Sequence, residues 1–447
     1  MIPNESFLDA MRRSGIHFFA GVPDSLLKHI CACITDSVDS KHHVITANEG
    51  AAVALAAGHH LATGHVPLVY MQNSGLGNSA NPLLSLADRE VYSIPMLLMI
   101  GWRGRPGVKD EPQHVKQGRV QNNLLEAMEI PREVIGPDSD DFEQTIQNLV
   151  NKAQTESRPV ALIVQKGTFE PWTPSGRETS TNNQQASAGL RQAPSDSPEV
   201  QSGLRQLSSD NLEVQSGLRQ APSDNPEVQS GLRQAPSGNP EAPAPVMTRE
   251  EALGILVESL DDRDIVVSTT GVTSREIYEL RAGGNMGHHR DFLTVGSMGH
   301  CSQIALGIAL EKSDRSVYCV DGDGAVIMHM GAMAIIGSRG PGNYRHIVIN
   351  NGAHDSVGGQ PTAGFFIDIP AVAKACGYRE SRRVTEQNGL VRQLDWLKGT
   401  EGPVLLEVLV RKGTRANLGR PSRTPVQNKR DLMKHLNQEN RQDEGIY

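Results

Sequence analysis

Val317-Tyr318-Cys319-Val320-Asp321-Gly322-Asp323-Gly324-Ala325 and, further on, His346-Ile347-Val348-Ile349-Asn350-Asn351-Gly352 decide the fold when read together. Each begins as a short apolar run and stops abruptly at polar residues. Continuous apolar runs of roughly four to eight residues bounded by turn residues read as strands buried on both faces. The first run stops at an acidic, Gly-rich turn, where backbone N–H groups can wrap a phosphate and a carboxylate can hold a metal. The second stops at paired Asn, which adds neutral oxygen ligands. Asp, Asn, carbonyl and phosphate oxygens are the hard ligands that Mg²⁺ prefers. Asp323 and Asn351 are 28 residues apart, enough for one crossover helix and the next strand. The residues alone therefore point to a magnesium–diphosphate site at the C-terminal ends of two strands.

Composition narrows the class. The chain has 447 residues, room for two or three domains, and a net charge of −8 with 4% aromatics. Neither the charge nor the aromatic content suits a nucleic-acid surface. No secretory leader is evident, and no apolar run approaches the ~18 residues that a membrane span needs. The five cysteines are odd in number and not in metal-ligand pairs, so they read as buried free thiols in a reducing compartment, the cytoplasm.

Taken in order, residues 1–168 alternate helix and strand. Asn4 is expected to cap a first helix that stops at Gly15. Strands follow at Ile16–Ala20, Val44–Thr46, Val66–Met71, Pro95–Ile100 and Val160–Gln165. Asn48-Glu49-Gly50 opens an Ala-rich helix, and Asn73–Asn78 reads as a polar turn. From 169 to 246 the composition collapses: Gly-Leu-Arg-Gln recurs from Gly189, Gly203, Gly217 and Gly231, every 14 residues. Units this poor in apolar residues have no face to bury, so a disordered linker is expected rather than a solenoid. Order resumes at Thr248-Arg249-Glu250-Glu251, which has the form of a capping box. Residues 247–415 form a second α/β half with strands at Ile265–Ser268 and Val404–Val410, and 416–447 read as a partly exposed tail. Two doubly wound parallel sheets are the expected fold class.

A Gly-Asp-Gly turn followed at this spacing by Asn-Asn resembles the cofactor motif of the thiamine diphosphate-dependent enzymes. The resemblance implies a pyrimidine-binding domain at 1–168 and a diphosphate-binding domain at 247–415. Asp323, Asn351 and the carbonyl of Ala353 would bind Mg²⁺; Gly322, Gly324 and Ala325 would meet the diphosphate, and Gly271 would be a further cofactor contact. Met298, in Gly296-Ser297-Met298-Gly299, matches the apolar residue that props the cofactor into its bent shape. Glu49 matches the glutamate that faces the aminopyrimidine and so lets the cofactor's reactive carbon lose its proton. Because the two ends of the cofactor are held by different domains, active sites at a homodimer interface are implied. The Ala-rich helices after Glu49 and Cys301 would permit the close packing that such an interface needs.

Most decarboxylases of this family carry a large middle domain, and here the repeats stand in its place. The compact form, with Phe19–Leu27, Gly107–His114 and Ser356–Thr362, resembles the branch acting on phosphonopyruvate and sulfopyruvate. The implied substrate is a small 2-oxo acid with an anionic group on its third carbon. Arg103, Arg105 and Lys109, with Lys116 and Arg119 in the same loop, are candidate partners for that group. Asp24, His114 and His354 are candidate proton carriers. Decarboxylation of a plain 2-oxo acid, or a catalytically silent scaffold, are the remaining readings.

Overall fold

A computed structural model describes residues 1–173 and 245–438. The 14-residue repeats lie outside these residues. The first half runs α1 (Asn4–Arg13), β1 (Phe19–Gly21), α2 (Lys28–Ser37), β2 (His43–Ile45), α3 (Glu49–Thr63), β3 (Leu68–Gln72) and α4 (Gly75–Pro82). It continues β4 (Met96–Gly101), α5 (Pro112–Ala127), β5 (Arg132–Ile135), α6 (Phe142–Glu156) and β6 (Pro159–Val164). The strands form one parallel sheet in the order β2-β1-β3-β4-β6-β5. Every residue of β4 and β6 is buried, as expected of strands covered by helices on both faces.

The second half repeats the plan with α7 (Arg249–Ser259), β7 (Ile265–Ser268), α8 (Val272–Gly283), β8 (Asp291–Leu293), α9 (Cys301–Glu311), β9 (Val317–Gly322), α10 (Asp323–Met328) and α11 (Gly331–Arg339). Then come β10 (Tyr344–Asn350), a small antiparallel pair β11 (Ala353–His354) and β12 (Gln360–Pro361), and α12 (Ile369–Ala375). The last elements are β13 (Glu380–Val384), α13 (Gln387–Gly399), β14 (Val404–Leu409) and α14 (Pro425–Gln438). Its six-stranded parallel sheet has the order β13-β14-β10-β9-β7-β8. The fold class is thus two parallel α/β sheets with flanking helices. In each sheet the strand order reverses near one edge, between β1 and β3 and between β7 and β9, and again near the other, where β6 lies inside β5 and β14 inside β13. Ligands of open α/β sheets bind at the carboxyl ends of such switch points.

The halves join through α3 and α9. Burial is complete along the Ala-rich body of α3 from Glu49 to Ala62, so side chains must be small for a second helix to approach. A Cβ on Gly307 would come within 2.8 Å of the His59 nitrogen and 2.9 Å of the Gly58 carbonyl carbon. Within the chain these two helices pack against each other. Tyr92 adds a tie, its hydroxyl donating to the Leu293 carbonyl at 2.6 Å.

Three local expectations change. Asn4 does not cap α1; it lies inside the helix, buried, and its amide donates to the Glu170 carbonyl at 2.9 Å. The first strand starts at Phe19, three residues late. The polar turn after β3 winds into α4 at Gly75. Over its described residues the tail at 416–447 is partly exposed as read, and it also holds α14, whose Leu432 and Leu436 are buried and whose Asn428 donates to the Asp291 carbonyl at 2.6 Å. The capping box is as read: Thr248 Oγ1 accepts from Glu251 N, and Glu251 returns the bond to Thr248 N.

Candidate active site

At the β7/β9 switch point opens a narrow cleft. β7 delivers Thr269 and Thr270 to one wall; β9 and the first turn of α10 deliver Gly322, Asp323, Gly324 and Ala325 to the other. Asn351, Ala353 and His354, beyond β10, and Met298 also line the cleft. Gly271 precedes α8 with φ of 102°, a conformation that L side chains rarely adopt. It turns the chain so that Val272 and Thr273, at the start of a twelve-residue helix, face the cleft. Helix N-termini present unpaired N–H groups and favour anions.

Asp323 is buried, which raises its carboxyl pKa, while hydrogen bonds from the Thr362 hydroxyl and the Asn351 backbone oppose the rise. Asn351 is oriented from behind: its Nδ2 donates to Asp355 Oδ2 at 2.8 Å and its Oδ1 accepts from Ala353 N at 3.0 Å. Asp355 is held by Arg249 Nη1 at 2.9 Å, and Arg249 also bonds Glu276 at 2.8 and 3.2 Å. Arg249 lines the cleft itself. It was missed in the sequence because it sits inside the capping box and carries no motif of its own. Thr269, Thr270 and Thr362 were missed for the same lack of a signal.

Glu49 is the first residue of α3. Asn48 caps the helix by accepting from Ala51 N at 2.8 Å, and Asn78 Nδ2, from α4, donates to Glu49 Oε2 at 2.7 Å. The carboxylate packs against Gly75, where an added Cβ would lie 2.5 Å from Glu49 Cγ. Next door, an added Cβ on Gly50 would stand 2.8 Å from His300 Nε2. The helix start therefore abuts the 296–300 loop, yet the described residues lining the cleft all fall between 249 and 356.

Asp24 lies at the carboxyl end of β1, buried, which raises its pKa against the opposing charge of Arg103; the two stand 3.9 Å apart. Arg103 is bound bidentately by Asp110 at 2.6 and 2.9 Å and reaches Ser25 Oγ at 2.6 Å. Arg105 donates to Gln165 at 2.6 Å, Lys109 is exposed, and His114 is buried in the first turn of α5. Arg103, Lys28 and Lys166 line a second, open cavity. Lys28 and Lys166 lie far from the basic loop in sequence and were not foreseen.

Comparison with known proteins accounts for this pair of sheets. Residues 3–127 match the thiamine pyrophosphate enzyme N-terminal TPP binding domain, and 275–408 match the C-terminal one. A phosphonopyruvate decarboxylase of Streptomyces viridochromogenes is 33% identical, over 92% of this chain and 89% of its own. The chain belongs to the phosphonopyruvate decarboxylase family of thiamine pyrophosphate enzymes. A sulfopyruvate decarboxylase of Methanosarcina acetivorans is 26% identical over 92% of both chains. Among solved structures, a 4-hydroxybenzoylformate decarboxylase of Rhodococcus jostii superposes with a TM-score of 0.58 at 14% identity, covering 92% of this chain and 99% of that one; it supports the fold.

As a member of this family the protein is a thiamine diphosphate-dependent decarboxylase. Its residues fit the cofactor. The hydroxyl of Thr269 is buried without a partner at the cleft wall, where phosphate oxygens would satisfy it. An added Cβ on Gly324 would meet His354 Nδ1 at 2.9 Å, so the turn keeps its backbone bare for a close approach.

Proposed function

We propose that the protein converts 3-phosphonopyruvate to phosphonoacetaldehyde and carbon dioxide, with thiamine diphosphate and Mg²⁺. The reading rests above all on a cleft in which Asp323, Asn351 and Ala353 converge, in a chain related to phosphonopyruvate decarboxylase along nearly its whole length. Asp323, Asn351 and the Ala353 carbonyl hold the Mg²⁺, a hard-ligand set. Backbone N–H groups of Gly324 and Ala325, with the turn at Gly271 and Gly322, meet the diphosphate, and Met298 supports the body of the cofactor. Bound thiamine diphosphate supplies a nucleophilic carbon and a sink for the electrons left by the departing carboxylate.

The chain's own part is orientation and proton traffic. Glu49, fixed by Asn78, accepts a hydrogen bond from the aminopyrimidine. Arg103, Arg105 and Lys109 are the loop cations offered to the phosphonate, and Lys28 and Lys166 extend that set. Asp24, whose burial favours its protonated form, and His114 and His354 are the candidates to return the proton that replaces the lost carboxylate. The five cysteines are unpaired, which suits the cytoplasm. No helix among the described residues is long and apolar enough to cross a membrane.

Glu49 does not line the cleft of its own chain, which supports a homodimer in which each site draws on both subunits. A sulfonate in place of the phosphonate is the second reading, favoured by the relative that bears that name. Carbon dioxide release from phosphonopyruvate, sulfopyruvate and pyruvate, measured side by side, separates them. The expected order places phosphonopyruvate first in kcat/KM by at least about tenfold, a difference of ~1.4 kcal/mol. Faster turnover of sulfopyruvate or pyruvate contradicts the assignment.

A further inference from the structure

Two residues before Asp323, β9 carries a cluster that the decarboxylase reading leaves unused. Cys319 and Asp321 share one face of the strand, since alternate residues do. His346 stands opposite Cys319 on β10, and Cys301 opens α9. All four side chains are at most 1% exposed. The sulfurs of Cys301 and Cys319 are 3.8 Å apart, and with an Asp321 oxygen they lie within 4.8 Å of one another. His346 Nε2 is 3.8 Å from Asp321 Oδ2.

Neither His346 Nε2 nor Asp321 Oδ2 has a hydrogen-bond partner. Without an ion the two can meet only as a His–Asp pair at 3.8 Å, too long for a hydrogen bond. The other ring nitrogen, Nδ1, stands 2.9 Å from the Tyr378 hydroxyl. When Nδ1 carries the proton, the Nε2 lone pair points inward, the arrangement found in metal-ligating histidines. Two zinc–sulfur bonds of about 2.3 Å at a tetrahedral angle also put their sulfurs about 3.8 Å apart.

We propose that Cys301, Cys319 and Asp321 form a buried site for a borderline-soft divalent cation of the Zn²⁺ class, with His346, 3.8 Å from Asp321, drawn in as the fourth ligand when the ion binds. It is chemically distinct from the Mg²⁺ site, because thiolate and imidazole ligands select against hard ions. Two thiolates, a carboxylate and a neutral imidazole around a dication leave one net negative charge, and binding releases the two thiol protons. The ion would tie α9 to β9 and β10 and so fix the strand end that delivers Asp323. Eighteen residues separate Cys301 from Cys319, a spacing with no metal-ligand signature, and only the fold brings them together.

The test is to express the full chain in medium supplemented with Co²⁺, then dialyse it against a chelator. About one cobalt per chain should remain, with thiolate-to-cobalt charge-transfer absorption and the strong d–d bands of a tetrahedral centre. X-ray absorption on the unmutated protein should give two sulfur and two lighter ligands, a readout that needs no variant to fold. Asp323→Ala should leave this signal unchanged, and Cys319→Ser should abolish it. Cobalt-free protein, a ligand shell without sulfur, or a folded Cys319→Ser variant that keeps the cobalt spectrum would overturn the proposal.

Discussion

Arg249 shows how much one residue can carry when it is buried with its partners. Its guanidinium is nearly inaccessible, as are the Glu276 and Asp355 side chains that bind it, and Asp355 in turn orients Asn351. Removing one member of a buried ion pair leaves an uncompensated charge and costs about 3–5 kcal/mol. Arg249→Met is therefore expected to lower stability by that amount in urea unfolding and to weaken cofactor binding; an unchanged midpoint would contradict the role. His60 offers a second residue-scale prediction. Burial lowers its pKa to about 4, and the ring bonds the His65 carbonyl at 2.9 Å. The folded form refuses a proton that the unfolded chain takes up below the ordinary value of 6.5. Its contribution is therefore intact at neutral pH and is lost as pH falls from 6.5 toward 4, at up to about 1.4 kcal/mol per pH unit. In His60→Gln, stability should fall less steeply between pH 6.5 and 4. Equal slopes in urea titrations of the two proteins would refute this.

At the scale of elements, the crossing of α3 and α9 depends on glycines at its closest point. Replacing a mid-helix Gly by Ala usually gains up to about 1 kcal/mol from helix propensity. At Gly307 the new methyl would press on the backbone of Gly58 and His59, and overpacking costs about 1–3 kcal/mol. The clash should win, and Gly307→Ala should melt at a lower temperature; a higher Tm would mean that the helices separate freely. Elements like these were legible in the sequence to unequal degrees. Buried strands such as β4, β6 and β9 announced themselves as continuous apolar runs. Edge strands β5 and β13, Arg132–Ile135 and Glu380–Val384, expose residues to solvent and so gave no apolar run to read. α14 was hidden because its charged residues mask Leu432 and Leu436, which only the neighbouring α3 and β8 reveal as core. The Gly-Asp-Gly and Asn-Asn ends were plain because metal and phosphate binding demand those residue types. Arg249 and the threonines of the cleft could come from almost any sequence.

The described residues form two α/β halves, with Glu49 in one and the Asp323 cleft in the other. If each active site draws on two subunits, Glu49→Gln and Asp323→Ala should each be inactive alone. Mixed after dissociation and reassociation, they should form hybrids with one intact site and recover up to roughly a quarter of wild-type activity, the statistical share for random pairing of a cyclic dimer. No recovery would place each site within a single chain. The central claim is that Glu49 and Asp323 serve one thiamine diphosphate site in different roles, and a pair of variants tests it most directly. Thiamine diphosphate binding with Mg²⁺ would be measured by calorimetry and carbon dioxide release by assay, for Glu49→Gln and Asp323→Ala. The account predicts that Asp323→Ala loses binding, whereas Glu49→Gln still binds the cofactor but loses turnover by at least about a hundredfold, the range for a group acting in proton transfer. Full activity in Glu49→Gln would contradict it.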